Sequence, residues 1–198
     1  MKIKKKTTAL LLAGSLAAAF AVPMAAQAEE KVVTAAMDQA WDTMMPLNTT
    51  SNYTRFVCDQ IYDRLTQTNA DGSIEGRLAE SWTVNEASDA VTFKIHEGAV
   101  WSDGEPVTAD DVVFSYQMYS DPSVDAKSRY HLEYIAGVDD SGAELSEDSI
   151  EVTADSEYEV TFKLKEAMYP DTFLQDIDTV FIIPKHIFSL VRFYVSFM

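Results

Sequence analysis

Basic residues are scarce in this chain. It carries 15 Lys and Arg against 32 Asp and Glu, a formal charge of −17. Nucleic-acid backbones are held by Lys and Arg, so nucleic acid is excluded as a partner. The same charge favours solubility and mild repulsion from anionic membranes. Cysteine is nearly absent: Cys58 stands alone, so no intrachain disulfide is available. Its place beside Val57 in an apolar helical pattern reads as a small core residue. His96, His131 and His186 lie far apart, with no H-E-x-x-H spacing and no cysteine partners, so no zinc centre is expected. P-loop and G-x-S-x-G patterns are missing too, which argues against nucleotide and serine-hydrolase chemistry. No catalytic residue, metal or cofactor is assigned.

What is present begins with an export signal. Lys2, Lys4, Lys5 and Lys6 precede an apolar stretch over 9–22, and Ala26-Gln27-Ala28 has the A-x-A form of a cleavage site. The apolar stretch is too short for a membrane span. Cleavage is expected after Ala28, and it takes four Lys and no acid, moving the formal charge from −17 to −21. No Cys stands at the cleavage point after the apolar stretch, so a lipid-anchor motif is not expected and a periplasmic location is.

Past that point the pattern predicts a short strand over 31–36 and an irregular segment over 37–51 carrying Trp41 and the polar run Asn48-Thr49-Thr50-Ser51. A helix over 52–67 follows, with Val57, Cys58, Ile61, Tyr62 and Leu65 on one face. An extended run is expected over 73–82, and a strand over 91–95 in which Val91, Phe93 and Ile95 share a face. A hairpin is expected over 149–165, with Val160, Phe162 and Leu164 facing one way. Pro170 opens a short helix over 170–177, and Val180-Phe181-Ile182-Ile183 reads as a strand buried on both faces. Asp139, Asp140, Glu144, Glu147 and Asp148 form an acidic loop without calcium-loop spacing.

The most informative stretch is 98–115, Gly-Ala-Val-Trp-Ser-Asp-Gly-Glu-Pro-Val-Thr-Ala-Asp-Asp-Val-Val-Phe-Ser. Ser102-Asp103-Gly104 is turn chemistry. Thr108 is placed as a helix N-cap with Asp111 at the capping-box position, and Val107 and Val112 hold the staple positions. A carboxylate pair or metal site at Asp110-Asp111 is the alternative; the capping role is preferred because both acids fall in the first turn. Trp82 and Trp101 read as packing anchors.

This stretch, with Phe93-Lys94-Ile95 before it, resembles the signature of the extracytoplasmic solute-binding proteins of family 5, the dipeptide-, oligopeptide- and nickel-binding components of ABC importers. Ile61-Tyr62-Asp63-Arg64-Leu65, Leu78-Ala79-Glu80-Ser81-Trp82 and Ile183-Pro184-Lys185-His186-Ile187 match in the family's order. The resemblance implies a mixed α/β fold of the type II periplasmic-binding-protein kind: two lobes closing on a solute. This chain would supply part of the first lobe (29–51 and 178–198) and a β-rich subdomain inserted between (52–177). The family's second lobe is not expected here, and a truncated or frame-shifted gene, or a fragment of assembled sequence, is the simplest account. The implied function is capture of a peptide or similar small solute and delivery to ABC permease subunits, by a monomer that makes and breaks no bond. The resemblance places Trp41, Asn48, Thr49 and Ser51 of the first loop, and Arg129 and Tyr130 of the segment after the signature helix, near the ligand. Aromatics would pack on it and the polar groups would supply hydrogen bonds. The rival readings are an exported structural or adhesive module and, more distantly, a secreted hydrolase.

Overall fold

The computed structural model describes residues 34–41 and 43–189. The expected signal segment (1–28) lies outside the described residues, as do residues 190–198 and three residues of the strand expected over 31–36. The chain separates into two compact units, Met1–Ala36 and Met37–Met198. Of the first, only 34–36 are described, without regular structure.

The second unit is built on a four-stranded antiparallel sheet. Its strands are β3 (Ala79–Val84), β4 (Ala90–Ile95), β5 (Val152–Ser156) and β6 (Glu159–Lys163), in the order β3-β4-β6-β5. Alternation sets its core face: Val91, Phe93 and Ile95 of β4 and Val160 and Phe162 of β6 are completely buried. Register places Val91 opposite Phe162, and Phe93 opposite Val160. Helix α2 (Ala109–Ser120) packs on β5 and β6, and Tyr116 meets the Phe162 ring edge-on at 4.7 Å. Phe93 at 5.4 Å and Phe173 of α3 (Pro170–Ile177) at 5.7 Å complete the cluster around Phe162. Edge-to-face rings add about 0.5–1.5 kcal/mol per pair to area burial.

A small hairpin, β1 (Thr66–Thr68) with β2 (Ile74–Gly76), packs beside α3, where Thr66 Oγ1 donates to the Leu174 carbonyl at 3.3 Å. Helix α1 covers only Asn52–Cys58. The helix expected over 52–67 therefore stops early: the Gln60 and Ile61 amides bond three residues back, to Val57 and Cys58, tightening the last turn. The extended run over 73–82 is two strands, β2 and the start of β3. The strand expected at 180–183 is as buried as anticipated but joins no ladder. Instead the Ile182 amide donates to Asp63 O at 2.9 Å, and that of Ile183 to Ser115 Oγ at 2.9 Å.

Candidate functional site

The 98–115 stretch folds as a capped bend. Val100 bridges Pro106, the Trp101 amide donates to Glu105 O at 2.8 Å, and Gly104 takes φ +94° at the turn. Thr108 and Asp111 form the reciprocal capping box, with the Thr108 N–H donating to Asp111 Oδ2 at 2.9 Å. Asp111 does more than cap. It is 4% exposed and also accepts from Trp101 Nε1 at 3.3 Å and, through Oδ1, from the Lys185 amide at 2.8 Å. Lys185 Nζ pairs with Asp110 at 2.9 Å, and His186 Nε2 with Asp103 at 2.8 Å. The block at 183–187 is thus tied to the bend. That hydrogen bond holds the His186 imidazole above its ordinary pKa of 6.5 and the Asp103 carboxyl below its ordinary 3.8. The block at 61–65 joins through Asp63 O and through Arg64, whose guanidinium donates to Asp178 O at 2.9 Å and Asp59 Oδ1 at 2.8 Å. The signature residues thus tie remote segments into one frame.

Two hollows flank this frame. A groove of about 490 Å³ runs along Ile61, Tyr62, Val100, Trp101, Ile187 and Phe188. The charged groups on its walls are paired: Asp59 with Arg64 at 2.8 Å, Asp63 with Arg77 at 2.9 Å, Asp103 with His186 at 2.8 Å. A recess of about 180 Å³ lies between the loop before α1 and the segment after α2, lined by Thr49, Ser51, Arg55, Lys127, Tyr130, His131 and Phe181 among others. Here one strong cation has no ionic partner among the described residues. Arg55 rests over the Phe181 ring at 5.6 Å and makes no side-chain hydrogen bond or ion pair to a described residue. Lys127 pairs with Asp125 at 2.7 Å, and His131 turns Nδ1 towards Asp176 at 3.6 Å. Burial pushes the Asp176 carboxyl above its ordinary range.

The six residues placed near a ligand by sequence divide among several positions. Thr49, Ser51 and Tyr130 meet in the recess, although the loop and the post-helix segment are far apart in sequence. Ser51 also caps α1 through the Thr54 amide. Asn48 Nδ2 donates to Asp125 O at 2.9 Å and the Lys127 amide to Leu47 O at 2.8 Å, so the two segments are stitched together beside the recess. Trp41 is half-exposed and is not among the residues lining the recess. Arg129 is spent on the backbone: its guanidinium donates to Tyr119 O at 2.9 Å, to Asp121 O at 2.7 Å and to Val124 O, closing the end of α2. Arg55 and Phe181 escaped sequence reasoning. The available signal misleads, because Asp59 stands four residues after Arg55 and would be its helical partner, yet Arg64 takes that carboxylate.

Among the described residues no helix is long and apolar enough to cross a membrane, and no cluster of ligating side chains suited to a metal occurs. The Asp139 carboxylate accepts from Ser141 N and Oγ and from Ala143 N, closing its own turn.

Comparison with known proteins agrees with this frame. Residues 73–193, more than half the chain, match the family described as bacterial extracellular solute-binding proteins, family 5, middle region. The oligopeptide-binding protein OppA of Bacillus subtilis is 35% identical over 83 residues, 42% of this chain and 15% of that protein. The periplasmic oligopeptide-binding protein OppA of Haemophilus influenzae is 31% identical over 140 residues, 68% of this chain and 25% of that protein. The oligopeptide-binding protein AppA of Bacillus subtilis, solved with a nonapeptide, superposes with a TM-score of 0.61 at 27% identity, over 74% of this chain and 26% of that one. The chain spans a quarter or less of these curated relatives. The fold is accordingly a partial type II periplasmic-binding-protein fold, in a family of binding proteins rather than enzymes. This chain belongs to the bacterial extracellular solute-binding proteins of family 5.

Proposed function

We propose that the chain is part of the substrate-binding component of an ABC importer, which captures a peptide or similar small solute outside the cytoplasmic membrane and hands it to the permease. In this reading it is exported with cleavage after Ala28 and works as a monomer. Residues 29–51 and 178–198 belong to lobe I, and 52–177 to the subdomain inserted in it. The observation that carries the reading is the recess, where Thr49 and Ser51 of the first loop meet Tyr130 of the post-helix segment. Those are the two segments from which the resemblance draws first-lobe ligand contacts. A hydroxyl-lined pocket with one aromatic wall and a few placed polar groups suits reversible capture.

Most of the relatives' length lies outside this chain, so a large share of the ligand contacts is expected from elsewhere. Isothermal titration of the 198-residue chain with tri- to nonapeptide mixtures tests this. Weak binding, with Kd on the order of 1 mM (about −4 kcal/mol), is expected. No detectable interaction with any peptide would sink the solute-binding reading, and nanomolar binding would refute the incomplete cleft.

A further inference from the structure

We infer that the recess is an anion subsite in which Arg55 takes a carboxylate of the bound solute, either a peptide's free C-terminus or an acidic side chain. The inference rests on the solute-binding reading above and names the chemistry of that site. Three observations carry it. First, the Arg55 guanidinium offers five donors and makes no side-chain hydrogen bond or ion pair to a described residue. Second, it lies on the Phe181 ring at 5.6 Å. Contact with this ring, which Arg64 shares at 5.2 Å, limits the side chain's freedom and so lowers the entropy lost when a two-oxygen partner docks. Third, the recess reverses the character of the molecule. In a chain with 32 acidic and 15 basic residues, Arg55 and Lys127 line it and, among the described residues, no Asp or Glu does. Two acids that pair with lining residues are engaged there: Asp125 by Lys127 at 2.7 Å, and Asp176 by His131 at 3.6 Å.

A bidentate Arg–carboxylate contact is both strong and directional. A volume of about 180 Å³ suits one such group with a small side chain beside it. Inorganic phosphate offers acceptor oxygens that fit the same donors, so the test separates the two.

The uniformly 15N-labelled chain is titrated by NMR with N-acetyl-glycyl-alanine, with its C-terminal amide, and with inorganic phosphate, reading the Arg55 Nε–H and the Ser51 and Ser128 amides. The acid is expected to shift these signals saturably and to bind about tenfold or more tighter than the amide, the scale of one charged hydrogen-bonding partner. Arg55→Gln removes that preference. Arg55→Lys, which keeps the charge but not the fork, restores only part of it, and the dispersion of each variant's spectrum checks its fold. Equal binding of acid and amide overturns the inference while leaving solute binding intact. So does an unchanged preference in Arg55→Gln, or phosphate binding tighter than the acid. Silence of these signals towards all three probes overturns the inference and, with it, the placing of the ligand in this recess.

Discussion

Asp111 holds together two segments that are remote in sequence. Its carboxylate accepts from the Thr108 and Lys185 amides and from Trp101 Nε1, with 4% of its surface exposed. Removing it leaves those donors without their acceptor, and each such loss is costly when buried. Asp111→Ala is expected to destabilise the chain by about 2–4 kcal/mol, read as a lower urea midpoint at unchanged slope. Asp111→Asn, which keeps the shape, should lose less. His186 and Asp103 give a pH signature at the same frame. The raised His186 pKa means its contribution is complete below the ordinary value of 6.5 and is lost as pH climbs through the higher folded value. The lowered Asp103 pKa means its contribution is complete above 3.8 and is lost as pH falls through the lower folded value. Both hold between those limits. The Tm difference between the native chain and His186→Gln should therefore be largest near pH 5 and shrink at both ends. A difference that grows towards pH 9 would contradict the pairing.

Among elements, the sheet and α2 carry the core. Phe162 touches Phe93, Tyr116 and Phe173 at 5.4, 4.7 and 5.7 Å and so joins β4, α2 and α3. Phe162→Ala opens a cavity that all three elements line, at an expected cost of about 3–5 kcal/mol. Chemical denaturation measures it, and a loss below about 1 kcal/mol would mean the elements collapse around the gap. These elements were legible in sequence where the signal is local. The alternation of Val91, Phe93 and Ile95, the Thr108 cap and Pro170 at a helix start need only near neighbours, and each lies where its pattern put it. The helix overrun past Cys58 and the ladderless 180–183 segment were not legible. Ile61, Tyr62 and Leu65 keep helical spacing, but Arg64 is drawn off to Asp59 and the Asp178 carbonyl, a contact 114 residues away. Position 180–183 is buried by α2 and the 61–65 block, and its amides find Ser115 and Asp63 instead of a neighbouring strand.

For the whole molecule, a charge of −17 over 198 residues sets a background of self-repulsion. The surface pairs, such as Lys94–Glu80 at 3.0 Å and Lys163–Glu151 at 3.0 Å, are exposed and contribute little. Screening at about 0.5 M NaCl, where the Debye length falls to a few ångströms, should therefore raise Tm rather than lower it. A thermal scan from low to high salt checks this, and a falling Tm would show that attractive pairs outweigh the net repulsion.

The sequence by itself determined the family, the frame and the character of the surface, because ordered motif blocks, caps and alternation are short-range properties written in adjacent residues. Only the tertiary structure decided which polar groups are engaged within the chain and which are not. Arg129 is consumed by three carbonyls, and the Asp59 carboxylate four residues after Arg55 goes to Arg64 instead. Whether a side chain is spent or spare depends on acceptors brought from distant parts of the chain, and no local pattern records that competition.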